Sequence, residues 1–180
     1  MSGGVCICVK KSISDLCSLI KTDIDNTLCL NLSKDLFKID KDIRLVCTYI
    51  PPAGSSYYSS KPSKCNLDQL EEFLISNVND QITLICGDLN ARTGEENNPQ
   101  DDTDDQAFSY ENYVTDDDDI ELEDRKSHDT VVNRFGRMLL ELCYVFQLYI
   151  LNGRVYGDKN GEFTFCSQQG CSVNDFYFIP

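Results

Sequence analysis

Histidine is nearly absent from this 180-residue sequence, since His128 is the only one. It stands in a polar segment beside an acidic stretch, and we expect it to be exposed just before a helix. The serines and cysteines therefore have no well-placed imidazole as a general base, which argues against Ser–His or Cys–His nucleophilic catalysis. Chemistry based on carboxylates, amides and phenols remains.

Long apolar runs and metal-type cysteine spacings are also missing. No apolar run approaches the roughly 18 residues of a membrane-spanning helix, so we expect no membrane partner. The ten cysteines show no CxxC pair, so a zinc site is not indicated. Most cysteines lie in apolar segments, and the first residues do not resemble a secretory signal. We expect buried free thiols in the nucleus or cytoplasm rather than in a secreted protein.

Positive charge is missing from one part of the chain, residues 95–124. This acidic insert holds 14 of the 30 Asp and Glu residues and none of the 16 Lys and Arg, so the remaining sequence is balanced. The formal net charge of −14 thus belongs to the insert, and the other surfaces can still carry a basic patch. We expect the insert to be an exposed, irregular loop, because unpaired acids cannot be packed cheaply.

Short apolar runs alternate with amphipathic segments along the rest of the chain, which is long enough for one domain. Period-two or continuous apolar patterns predict strands at 3–11, 27–33, 43–52, 82–90 and 148–153. Segments 159–167 and 172–179 are predicted to pair as a hairpin, and residues 53–66 to form a loop. Helical periodicity indicates helices at 67–78 and 133–146. This mixture favours an α/β sandwich with mixed sheets.

Four polar residues stand at or near predicted strand ends: Tyr49, Asp88, Asn90 and Asp175. Such a set suits a site for a divalent cation and a phosphate, where an acid orients water and neutral donors stabilise developing charge. A plain strand-end turn also accounts for Asp88 and Asn90, because both residue types favour turns.

Six motifs follow one another in a distinctive order: GGVCICVK, TYIPP, ICGDLNARTG, NRFGRMLLELC, LYILNGR and GDKNGEFTFCSQQGCSVNDF. This order resembles the endonuclease/exonuclease/phosphatase superfamily, and in particular the endonuclease domains of non-LTR (LINE-type) retrotransposons. The resemblance implies a DNase I-like four-layer α/β sandwich, with two packed mixed sheets flanked by helices, over residues 1–180 as a partial domain. It also implies phosphodiester hydrolysis with Mg²⁺ or Mn²⁺ and DNA as the partner that is nicked.

The resemblance assigns roles to the strand-end residues. Asp88 matches the acid that orients or deprotonates the attacking water. Asn90 matches the amide that binds the scissile phosphate and metal-bound water, so both residues are also metal-binding candidates. Tyr49 matches a tyrosine whose hydroxyl donates to the phosphate. Asp175 matches the acid that holds the family's catalytic histidine.

Two further residues, Thr164 and Ser172, resemble residues that line the DNA backbone, although ordinary hairpin positions explain them equally well. The sequence departs from the family in lacking its upstream metal-binding asparagine and glutamate and its downstream SDH segment. It also carries Asn174 and Phe176 where the family prefers an aliphatic residue and a tyrosine. We therefore expect weak or no nicking. A non-catalytic remnant that binds nucleic acid or protein, and a phosphoesterase acting on small molecules or lipids, remain alternatives.

Overall fold

A computed structural model describes residues 4–60, 65–77, 80–96 and 124–180. The strands are β1 Cys17–Ile20, β2 Thr27–Leu32, β3 Ile43–Thr48, β4 Ile82–Asp88, β5 Tyr149–Ile150, β6 Phe165–Ser167, β7 Gly170–Ser172 and β8 Asp175–Ile179. The helices are α1 Tyr57–Ser60, α2 Asn66–Ser76 and α3 Arg134–Val145, with 3₁₀ turns at Lys11–Leu16 and Lys34–Leu36. The predicted mixed α/β class is confirmed.

Six strands form one mixed sheet in the order β1–β2–β3–β4–β8–β5, and β6 and β7 form a separate two-stranded sheet. The central strands β3 and β4 are parallel, whereas the other pairs are antiparallel. Parallel strands need a crossover connection, and α2 lies in the segment that joins β3 to β4. The described residues thus contain one large sheet beside a small one.

One row of side chains crosses the large sheet in register and is almost fully buried. Its members are Cys29, Val46, Ile85, Phe178 and Ile150. The same buried cluster contains the apolar faces of α2 and α3, as the helical periodicity predicted. Burial of each such side chain stabilises the fold by about 1.5–3 kcal/mol. The next row on the opposite face, which includes Cys47 and Cys86, is only half-buried.

The strand predicted at 3–11 is wrong. Residues 4–10 are irregular, and a 3₁₀ helix follows at Lys11–Leu16. The apolar alternation there has no neighbouring strand to pair with, since the edge strand β1 bonds only to β2 among the described residues. Residues 53–66 also differ from the predicted loop, because α1 lies within them and α2 begins at Asn66.

The hairpin was predicted with the wrong partner. Strand β6 pairs with β7, so that Phe165 lies opposite Ser172, while β8 leaves the hairpin to bond to β4 and β5. Val173 and Asn174 separate β7 from β8, which belong to different sheets, whereas the apolar pattern alone continues from Ser172 into β8 as one strand. Pairing with other strands of the folded chain therefore determines where β7 ends and β8 begins.

The cysteines are free, as predicted, but only Cys29 and Cys143 are buried. None of the described helices is long and apolar enough to span a bilayer. Most of the predicted acidic insert, residues 97–123, lies outside the described residues, so its exposure stays a prediction. The two flanks of the insert meet, because Arg125 donates from Nη1 to the Glu96 carbonyl at 3.0 Å.

Candidate active site

Strands β4 and β8 bring two acids together at the edge of the sheet. Asp88, the last residue of β4, lies directly opposite Asp175, the first residue of β8. The residue before Asp88 must be glycine, because Gly87 has φ +140° and a Cβ there would overlap the Thr48 carbonyl of β3. The close approach of β3 to β4 therefore positions Asp88 beside the end of β3.

Asn90 closes a left-handed turn immediately after β4, with φ +47°. Its N–H donates to Oδ1 of Asp88 at 3.0 Å, and its Nδ2 donates to the Ile50 carbonyl at 2.9 Å. Asn133, at the start of α3, donates from Nδ2 to the Asn90 carbonyl at 3.1 Å. Asparagine tolerates this backbone region better than most residues, so the turn is both permitted by the sequence and fixed by three hydrogen bonds.

The carboxyl of Asp88 is half-buried, and no cationic side chain in the described part of the chain forms an ion pair with it. Burial raises its pKa, the N–H of Asn90 lowers the pKa by less, and the charge of Asp175 raises it further. Asp175 is in turn fixed by Asn152, which donates from Nδ2 to the Asp175 carbonyl at 3.1 Å and accepts from the Tyr177 N–H at 3.1 Å. The sequence placed Asn152 only within the strand predicted at 148–153, so this positioning role was missed.

Tyr49 follows β3 at the same end of the sheet, where its N–H donates to the Asn26 carbonyl at 3.0 Å. Its side chain is half-buried. Within the described ranges, no hydrogen bond joins the Tyr49 hydroxyl to Asp88, Asn90 or Asp175. Tyr49 therefore lies at the end of β3, and among the described residues its hydroxyl is not part of the hydrogen-bond network of the other three residues.

Thr164 and Ser172 have different positions. The hydroxyl of Thr164 accepts from the N–H groups of Asn174 and Asp175, at 2.9 and 3.1 Å, and so directs the chain into β8. Ser172 is buried and lines a cleft of about 250 Å³ together with Asn90. The complete lining is Pro52, Ala53, Asn90, Arg92, Asn133, Arg134, Phe135, Phe165, Ser172 and Asn174.

An ion pair behind this cleft was not predicted. Asp129, only 2% exposed, accepts from Nε and Nη2 of Arg92 at 2.8 and 2.6 Å. It also accepts from the N–H groups of Val173 and Val131, at 3.0 and 3.1 Å. Burial alone would raise the pKa of Asp129, but these hydrogen bonds outweigh it and lower the pKa. No local pattern could have found a pair whose members are 37 residues apart.

The donor set at the sheet edge fits weak binding of a hard divalent cation. Asp88 and Asp175 supply two carboxylates and Asn90 an amide oxygen, and Mg²⁺ commonly binds one or two carboxylates while keeping several waters. Across the described part of the chain, no group of three or more His, Cys, Asp or Glu residues could hold a metal. His128 does not line the cleft; half-exposed, as predicted, it lies against Phe163 and 3.4 Å from a Glu162 oxygen.

No protein-family model matches the chain, and no curated protein matches it either. The grounds for assigning a function are therefore the geometry of the sheet edge and the order of the sequence motifs. The structure brings Asp88, Asn90 and Asp175 together, adds Ser172 through the shared cleft and leaves Tyr49 nearby.

Proposed function

We propose that the chain carries part of a metal-dependent phosphodiesterase site and that its substrate is DNA, nicked as in endonucleases of the retrotransposon type. The four-layer sandwich of the endonuclease/exonuclease/phosphatase superfamily is the fold proposed with it. The observation that supports this function is the pairing of Asp88 with Asp175 beside the fixed turn of Asn90. Two acids so close together, one with a raised pKa, are costly for a fold and are typical of functional sites.

Asp88, Asn90 and Asp175 would have different roles in the reaction. Oδ1 of Asp88 is occupied by the Asn90 N–H, which leaves Oδ2 to accept a proton from, or to orient, an attacking water. One N–H of the Asn90 amide is used by Ile50, and the other is left to donate to a phosphate oxygen. Asp88, Asp175 and the Asn90 amide oxygen would hold Mg²⁺ or Mn²⁺, which when bound would supply positive charge that neutralises the phosphate.

Binding of Mn²⁺ to the 180-residue chain, measured by electron paramagnetic resonance of the free ion, tests this proposal. We expect weak binding, with a Kd on the order of a millimolar for so few ligands. Asp88→Asn should abolish the binding. The matched control Asp80→Asn should leave it intact, since Asp80 is an exposed acid whose ion pair with Lys41 lies on the surface. Equal Mn²⁺ binding by Asp88→Asn and the unmodified chain would overturn the proposal.

Nicking of supercoiled plasmid provides a second measurement. We expect a rate at or near the metal-free background, because no imidazole of the described residues lines the cleft and loss of one such group commonly costs ~10²–10³ in rate. Any metal-dependent nicking should vanish in Asp88→Ala. Hydrolysis of a small phosphodiester at a higher rate than plasmid would instead favour the small-molecule phosphoesterase alternative.

A further inference from the structure

The cleft beside Asn90 differs in charge from the chain as a whole. The chain carries a formal net charge of −14, yet among the described residues no Asp or Glu lines the cleft, whereas two arginines, Arg92 and Arg134, do. The other polar lining residues are three asparagines and one serine, which present neutral donors. Such a lining suits an anion with several acceptor oxygens.

The two arginines are not equivalent. Arg92 is held by Asp129 through two hydrogen bonds, so its charge is largely compensated. Arg134 is exposed, and no hydrogen bond or ion pair joins its side chain to another residue in the ranges 4–60, 65–77, 80–96 and 124–180. The uncompensated positive charge of the cleft therefore belongs to Arg134, whose fork of N–H donors matches a phosphate.

We propose that this cleft is a subsite for a DNA backbone phosphate and that Arg134 is a positioning residue that contacts the phosphate neighbouring the one at Asn90. This inference rests on the proposed function, since Asn90 joins the cleft to the paired acids. The start of α3 is compatible with the role. Its cap Asn133 accepts from the Gly136 and Arg92 N–H groups, at 2.7 and 3.1 Å, which fixes Arg134 relative to Asn90.

The test is binding of a fluorescein-labelled DNA duplex, followed by anisotropy in EDTA over a series of salt concentrations. Arg134→Gln should weaken binding by about tenfold, as expected for a charge-assisted hydrogen bond. It should also reduce the slope of log K against log salt by about 1, because one phosphate contact is lost. The slope is a readout that a merely structural role would not change. Arg134→Lys should restore most of the slope.

Arg137→Gln is the matched control, because Arg137 is an exposed arginine of the same helix that does not line the cleft. It should leave affinity and slope nearly unchanged. Equal losses in Arg134→Gln and Arg137→Gln, or no duplex binding by the unmodified chain, would overturn the subsite.

Different experimental results would overturn the subsite and the proposed function. An Arg134-dependent salt slope without Mn²⁺ binding at Asp88 would support the subsite and overturn the metal-dependent hydrolase. Mn²⁺ binding that requires Asp88, together with identical DNA binding by the two arginine variants, would support the hydrolase and overturn the subsite.

Discussion

Asp88 and Asp129 are two acids of the same fold that are stabilised in opposite ways. Asp129 is almost fully buried, but four hydrogen bonds, two of them from Arg92, keep its pKa low. Asp88 is only half-buried, but this burial raises its pKa, the single N–H donor from Asn90 lowers the pKa by less, and the charge of Asp175 raises it further. The more deeply buried carboxylate is therefore the better compensated one.

The charged carboxylate of Asp129 therefore stabilises the fold, whereas the charged carboxylate of Asp88 does not. A carboxylate with a full set of donors contributes to stability in its charged form, whereas one beside a second acid costs stability unless a cation binds. Asp129 joins the segment before α3 to the turn that precedes β8. Asp88 makes no comparable set of bonds among the described residues, which is why its position beside a second acid calls for a chemical explanation.

The largest expected effect is the loss of the Asp129 carboxylate. Asp129→Asn should lower the free energy of unfolding by about 3 kcal/mol at pH 7, because it leaves the Arg92 guanidinium without its partner in a partly buried position. Urea denaturation monitored by circular dichroism measures this change. The control is Asp80→Asn, which alters only a surface ion pair and should cost less than about 1 kcal/mol.

The loss of stability caused by Asp129→Asn should also depend on pH. Since the folded pKa of Asp129 is lowered, its stabilising contribution is complete above the ordinary aspartate pKa of 3.8 and is lost as pH falls through the folded value. The deficit of Asp129→Asn should therefore shrink in strong acid. A deficit that stays constant down to the lowest pH at which the protein folds would contradict the assignment.

An intermediate effect is expected at Asn90, whose turn supplies the N–H that bonds to Asp88. Asn90→Ala should cost about 2 kcal/mol, from the left-handed backbone and from the lost bond to Ile50. Asn90→Gly should cost only about 1 kcal/mol, since glycine adopts the same φ without strain. Thermal unfolding of both variants measures the difference, and equal losses would show that the backbone region is not the determinant.

The smallest expected effect is a gain in the free energy of unfolding rather than a loss. Asp88→Asn should stabilise the chain at pH 7 by about 0.5–1 kcal/mol, because it removes a carboxylate whose ionisation the fold disfavours. The raised pKa means that this gain is complete above the folded pKa and disappears below 3.8. Differential scanning calorimetry at neutral and acidic pH checks it. If Asp88→Asn instead lowered the free energy of unfolding at pH 7, the charged Asp88 carboxylate would stabilise the fold as Asp129 does, and the contrast between the two acids would be wrong.

Local patterns were sufficient for the elements whose neighbours are set by burial. Strands β2, β3 and β4 and helices α2 and α3 all lie where apolar periodicity predicts them. The same patterns failed at residues 3–11 and in the hairpin, because alternation does not specify which strand a segment will pair with. Among the site residues, motif order made Asp88 and Asp175 candidates, and the pairing of β4 with β8 shows that they lie opposite each other. Arg92 and Asp129 were missed because only the tertiary fold joins them.

The hydrogen bond from Arg125 to the Glu96 carbonyl has a consequence for how such a chain can change length. It joins the described residues on either side of 97–123, so that positions 96 and 125 lie next to each other. Each doubling of a flexible segment that begins and ends at one closed point costs only about 0.6 kcal/mol in closure entropy. Insertions or deletions between positions 96 and 125 should accordingly change the free energy of closure only slightly, with the bond between the two flanks still in place.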